Sequence, residues 1–118
     1  MWNVEITDEF EAWYRTLGAH QQDAVGRSIM VLEDAGPGLG RPYVDTVKGS
    51  KLNHLKELRA QCDGAPLRMF FVFDPRRSAI LLIGGDKTGD ARFYERMIPV
   101  AERLYETYLE ELRKDGLL

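Results

Sequence analysis

Leu67-Arg68-Met69-Phe70-Phe71-Val72-Phe73, then Asp74-Pro75-Arg76-Arg77, then Ser78-Ala79-Ile80-Leu81-Leu82-Ile83 carries the architecture of this chain. The Asp-Pro-Arg-Arg junction suits a type I turn, with proline preset at its second position. The apolar runs on either side are therefore the arms of a β-hairpin. Runs this continuously apolar belong to central strands covered on both faces rather than to a sheet wet on one side. One residue breaks the rule. Arg68 stands among Leu67, Met69, Phe70 and Phe71, and a guanidinium cannot escape burial by losing its proton. It needs either a partner or a groove open to solvent.

Working outward, His54–Gln61 alternates as a strand does, with Lys56, Leu58 and Ala60 on one face and Leu55, Glu57 and Arg59 on the other. Asp63-Gly64 supplies a tight connection to Leu67–Phe73. Tyr43–Val47 is a further short strand, followed by the turn Lys48-Gly49-Ser50. Toward the N-terminus the period changes. Trp2, Val4 and Ile6 alternate as a half-buried strand, and Thr7 or Asp8 then caps a helix. Phe10, Trp13, Tyr14 and Leu17 form its apolar stripe. Gly18 ends it, and a second helix runs from Ala19 to Ala35 before Gly36-Pro37-Gly38 stops it. After the hairpin, Asp90 is positioned to cap a last helical region whose inner face holds Phe93, Met97, Ala101, Leu104, Tyr108 and Leu112. Pro99 predicts a division there: a turn or two near Ala91–Met97, then a long helix opening with Pro99 at its first position. The order is β-α-α-β-β-β-β-α. This is an α+β fold, with an N-terminal helical hairpin and a C-terminal helix packed on a mainly antiparallel twisted sheet.

A chain of 118 residues makes one domain, residues 1–118. Its single cysteine, Cys62, allows no internal disulfide and suits a reducing cytosol. The longest apolar runs, Met69–Phe73 and Ala79–Ile83, are five residues, too short to cross a membrane, and Met1–Ile6 lacks the features of a signal peptide. The two histidines, His20 and His54, lie 34 residues apart without ligand-spaced partners, which gives metal chemistry little support. A Cys62–His54 nucleophile pair lacks a third orienting group. Gly36–Gly40 and Gly84–Gly89 match no phosphate-binding fingerprint.

Charge is more informative. The net charge is −3, yet Pro37–Arg96 holds 11 Lys/Arg against 7 Asp/Glu, leaving 5 and 12 for the two ends. A basic middle on an acidic scaffold is the pattern of a local anion-binding surface. Arg68 on one strand, Lys56, Glu57 and Arg59 on its neighbour and Lys87 after the last strand can meet on an antiparallel sheet. Two readings stay open for them: a structural ion-pair lattice, or a phosphate fork at the rim of the sheet.

Leu39-Gly40-Arg41-Pro42, Val47-Lys48-Gly49-Ser50, Asn53–Arg59, Leu67–Pro75 and Ile80–Lys87, continued by Tyr94, Ile98-Pro99 and Ala101, resemble in order and spacing the RelE/ParE toxin superfamily. The resemblance is to its phage-derived HigB-like branch and covers nearly the whole chain. It implies the toxin of a type II toxin-antitoxin system, a ribosome-dependent endonuclease of mRNA acting in the cytoplasm without metal or cofactor. The RNA's own 2′-hydroxyl attacks the adjacent phosphate. The implied partners are ribosome and mRNA, together with an adjacently encoded antitoxin, usually a helix-turn-helix protein. Residue by residue, the resemblance gives Arg68 the scissile phosphate, and Lys56 and Arg59 the RNA backbone or proton transfer. Lys87 becomes the basic group of the last loop. Glu57 is left as a general base or as the ion-pair partner of Arg59 or Arg68. Lys48, Lys51, Arg76 and Tyr94 are further RNA contacts, with core packing as the other reading of Tyr94. Two alternatives come with the same fold: a ParE-like inhibitor of DNA gyrase, or a degenerate relative that only binds an antitoxin.

Overall fold

The computed structural model describes Met1–Leu118. Its strands are β1 (Val4–Ile6), β2 (Val44–Thr46), β3 (Lys56–Cys62), β4 (Ala65–Phe73) and β5 (Ala79–Asp86), arranged in one sheet in the order β1-β5-β4-β3-β2. Only β1, parallel to β5, departs from antiparallel pairing. Helices α1 (Asp8–Arg15) and α2 (Ala19–Ala35) lie on one face, and α3 (Phe93–Lys114) lies on the other.

The apolar hairpin is central, as its composition requires. Met69, Phe70, Phe71 and Val72 are fully buried, as are Ile80, Leu81 and Leu82. Because neighbouring residues point to opposite faces, the hairpin feeds two cores. Met69, Phe71 and Leu81 pack with Phe10, Val25, Leu32 and Leu58 beneath the helical hairpin. Phe70, Val72, Ile80 and Leu82 pack with Leu55, Phe93, Met97, Ala101 and Leu104 beneath α3. Burying one such side chain stabilises by about 1.5–3 kcal/mol. Thr7 caps α1 by accepting from the Phe10 N–H at 2.9 Å, while its hydroxyl donates to the Leu82 carbonyl at 2.7 Å. That pair of bonds anchors the start of α1 to β5. The Asp74–Arg77 turn closes as expected, the Arg77 N–H donating to the Asp74 carbonyl at 2.8 Å.

The expected division of the last helix at Pro99 is corrected: α3 is continuous, with Pro99 inside it. An interior proline removes one backbone hydrogen bond. Pro99 is exposed, on the side of α3 away from the core, so water can satisfy the carbonyl left free. Met97, Ile98 and Ala101 meanwhile keep the helix seated on the sheet. Asp90 does not occupy the cap position, which falls to Arg92; its carboxylate accepts from the Arg92 N–H at 3.0 Å and pairs with Arg96.

β4 and β5 pair as Val72↔Ile80 and Phe71↔Leu81, but the next pair is Phe70↔Ile83, so Leu82 is an extra residue. This bulge lets Leu82 and Ile83 both pack on the α3 side and reverses the facing of all that follows in β5. Two glycines then admit aromatic rings. A Cβ on Gly84 would lie 2.3 Å from the Trp13 ring, and one on Gly85 would lie 2.8 Å from Phe93.

Candidate functional site

β3 and β4 set Arg59 directly opposite Arg68, both on the α3 side of the sheet. Like charges opposite one another destabilise a sheet, and these two are partly withdrawn from water, with side chains 30% and 12% exposed. Glu57, two residues along β3, lies between them. Its carboxylate is 3.2 Å from Arg59 Nη2 and 3.6 Å from Arg68 Nε, and the residue is 3% exposed. The Tyr94 hydroxyl, from the first turn of α3, donates to Glu57 Oε1 at 2.6 Å. Burial first, and the Glu57 carboxylate second, push the Tyr94 phenol above its ordinary range, so it keeps its proton at neutral pH. Lys87 Nζ stands 5.1 Å above the Tyr94 ring, a cation–π arrangement.

Charge does not balance here. Arg59 also pairs with Asp45 at 3.3 Å, but Arg41 claims the same Asp45 oxygen at 2.7 Å. That Arg41 hydrogen bond is the main reason the Asp45 carboxyl titrates below its usual range. Three guanidiniums therefore share two carboxylates. Arg68 donates from Nη1 to the Leu67 carbonyl at 3.1 Å, while the Nε atoms of Arg59 and Arg68 are buried without a hydrogen-bond acceptor. Both arginines line an open cleft of about 610 Å³. Such a constellation can bind an anion and hold it on a rigid strand pair.

Arg68, Arg59, Glu57, Tyr94 and Lys87 thus form one cluster. Lys56 does not join it: opposite Phe71, it lies on the face of Leu58 and Ala60, the α2 side. Arg76 lies beyond the far end of β4, where it bonds Tyr108 at 2.8 Å, Asp74 at 3.3 Å and Glu5 at 3.4 Å. Lys48 and Lys51 are exposed on the loop before β3, and the Lys51 N–H donates to Glu102 at 2.6 Å. That loop enters β3 at Lys56, which pairs with Phe71, whereas Arg68 is nearer the other end of β4. Cys62 and His54 are not a couple. Burial raises the Cys62 thiol, which bonds Asp63, while His54 packs on Tyr105. Sequence reasoning missed Arg27, Arg41, Tyr43 and Asp45. The Arg41–Asp45 spacing before a basic strand is the one local signal that pointed to any of them.

Residues 12–106 match the family described as phage derived protein Gp49-like. The chain is 42% identical over 107 residues to the protein designated toxin HigB3 of Mycobacterium tuberculosis, across 90% of this chain and 92% of that one. It is 37% identical over 112 residues to that organism's designated toxin HigB2, across 93% of this chain and 55% of that protein, so it spans about half of the longer relative. A solved structure of an Escherichia coli toxin RelE mutant in the free state covers 80% of this chain and 92% of its own, with a TM-score of 0.55. At 7% identity that is a likeness of fold. With most of its length matched by one family and by a relative of its own size, the chain belongs to the phage-derived Gp49-like family, as a HigB-like toxin on the RelE fold.

Proposed function

We propose that this toxin cleaves mRNA on the ribosome and is held inactive by an antitoxin encoded beside it. The observation that carries the reading is the opposition of Arg59 and Arg68 across β3 and β4, two part-buried guanidiniums on the wall of an open cleft whose lining holds no carboxylate. A structural lattice would match the three guanidiniums of Arg41, Arg59 and Arg68 with three carboxylates rather than with Asp45 and Glu57 alone. Here Glu57 is shared, and a bound phosphodiester makes good the deficit.

On this reading the ribose 2′-oxygen attacks the neighbouring phosphorus and the bond to the 5′-oxygen breaks, giving a 2′,3′-cyclic phosphate. Arg68 and Arg59 stabilise the charge gathering on the non-bridging oxygens, the kind of preorganised contact that dominates such catalysis. Glu57 is a positioning residue: with both oxygens occupied behind the arginines, it aims them at the cleft. Tyr94, whose hydroxyl donates to Glu57, holds that carboxylate in place; water in the cleft takes the 2′ proton and supplies one to the departing 5′-oxygen. Lys87 adds positive charge at the rim.

Inducing the chain alone should arrest growth, and co-expressing the neighbouring gene should relieve the arrest. Mapped transcript 5′ ends should then show cuts inside translated frames. Arg68→Ala should slow cutting by about 10²–10³-fold, the scale for one charge-stabilising donor. Its melt should move little, because Glu57 keeps Arg59 and Tyr94. Relaxed or broken DNA beside intact transcripts would replace this reading with gyrase inhibition. Unaffected growth would replace it with antitoxin binding alone.

A further inference from the structure

The cleft continues past the paired arginines. β2 pairs with β3 only over Lys56–Leu58, so from Arg59 onward the outer side of β3 has no strand beside it. There the cleft runs between that edge and α2. Arg27 of α2 lines it, as does Tyr43, which precedes β2 and is 42% exposed. Ser28 holds α2 against the edge by donating to the Arg59 carbonyl at 2.9 Å, and the Tyr43 carbonyl accepts from the Arg59 N–H at 2.7 Å. Both residues are therefore tied to the strand that carries Arg59.

Two observations separate them from ordinary surface residues. Arg27 makes no ion pair, although Arg41, Arg59 and Arg68 in the same region are all engaged by carboxylates. The cleft lining holds three arginines and no carboxylate, so Arg27 adds a cation for a second phosphodiester beside the pair of Arg59 and Arg68. Tyr43, in turn, is a large aromatic left open to solvent in a wall otherwise rich in arginine. Aromatic faces interleaved with cations are the means by which proteins hold single-stranded nucleic acid.

We propose that Arg27 and Tyr43 form a second nucleotide subsite in this cleft, occupied by the residue flanking the cut. Tyr43 stacks on its base and Arg27 holds its phosphate. The inference rests on the RNA-cleavage reading and names which residues engage the strand beyond the reacting phosphate.

Cleavage is measured on ribosomes programmed with a defined message, kcat and KM separately and over a range of salt. Tyr43→Ala should raise KM about tenfold with kcat unchanged, the scale of one lost stacking platform. Tyr43→Phe should behave as wild type. Arg27→Gln should raise KM several-fold and lower the slope of log affinity against log salt by about 0.7, the value for one phosphate on a single strand; Arg27→Lys should restore the slope. Both side chains are solvent-facing, so the melts should not move. Unchanged KM in Tyr43→Ala and Arg27→Gln, with wild type cutting normally, overturns the subsite and leaves the nuclease standing. An equal loss of affinity for ribosomes without message makes ribosomal RNA the ligand and also overturns it. If wild type never cuts, anisotropy with a labelled 2′-O-methyl hexanucleotide decides: binding weakened by both substitutions supports the subsite while the cleavage reading fails, and binding indifferent to them sinks both.

Discussion

Glu57→Gln tests the charge arrangement most directly. The amide keeps the size of the side chain and can still accept from Tyr94 while removing the one carboxylate lodged between Arg59 and Arg68. Removing one partner of a buried ion pair destabilises by about 3–5 kcal/mol, because the other charge stays behind. Here two charges stay behind, but Arg59 is 30% exposed and retains Asp45, so the lower end applies, about 3 kcal/mol. For a domain of this length that is a fall in Tm of roughly 12 °C. The variant should remain folded, since domains hold about 5–15 kcal/mol. If the arginines form an anion site, phosphate should restore what was lost. An anion at about 100 times its dissociation constant contributes about 2.7 kcal/mol, nearly the whole deficit. Thermal melts followed by circular dichroism, in phosphate and in chloride of matched ionic strength, make the comparison. Wild type should gain less, because Glu57 competes for the same guanidiniums. A variant melting within about 3 °C of wild type, or equal gains from phosphate in both proteins, would refute the reasoning.

Three further outcomes are expected. Asp45→Asn should free Arg41 and Arg59 together, tightening oligonucleotide binding a few-fold with a change in stability under about 1 kcal/mol, as for exposed ion pairs; titration calorimetry and a melt check both. Burial, opposed by Arg76 but reinforced by Asp74, lifts the Tyr108 phenol to about 12. The unfolded chain releases that proton first, so stability should fall as pH rises from about 10 toward 12, and Tyr108→Phe should flatten this limb in urea titrations at successive pH values. Gly84→Ala should cost about 1–3 kcal/mol, the range for overpacking, because the new methyl meets the Trp13 ring; the urea midpoint measures it.

Much of the fold was legible because burial imposes itself on composition. A central hairpin must be apolar on both faces, and Leu67–Phe73 and Ala79–Ile83 say so without help. The alternation in β3 already separated Lys56 from Glu57 and Arg59, which is why Lys56 falls outside the cluster. Pro99 misled because a helix tolerates the loss of a hydrogen bond on its wet side, and which side is wet depends on packing no local rule contains. Arg76, an RNA contact on the resemblance, stands apart from the cluster. Five residues of extended strand, roughly 17 Å, separate Arg68 from the end of β4 at Phe73, and Arg76 lies in the turn beyond it. Arg27 and Tyr43 were invisible for a different reason. A lone arginine on a helix reads as a solvated face until one knows which strand edge the helix leans on, and nothing local records that β2 begins only at Val44, opposite Leu58.

The additional residue at Leu82 works as a half-turn inserted into a ribbon. Upstream of it, β5 serves hydrophobic cohesion alone; downstream, each side chain is swapped to the reverse surface, and Lys87 arrives above Tyr94. Excising that single position would straighten the ribbon while Ile83 stayed opposite Phe70 and Gly85 opposite Arg68, so the ammonium would keep its side of the wall. A deletion of three bases there would therefore remove one fully buried side chain from beneath α3 and leave the charged cluster facing as it does.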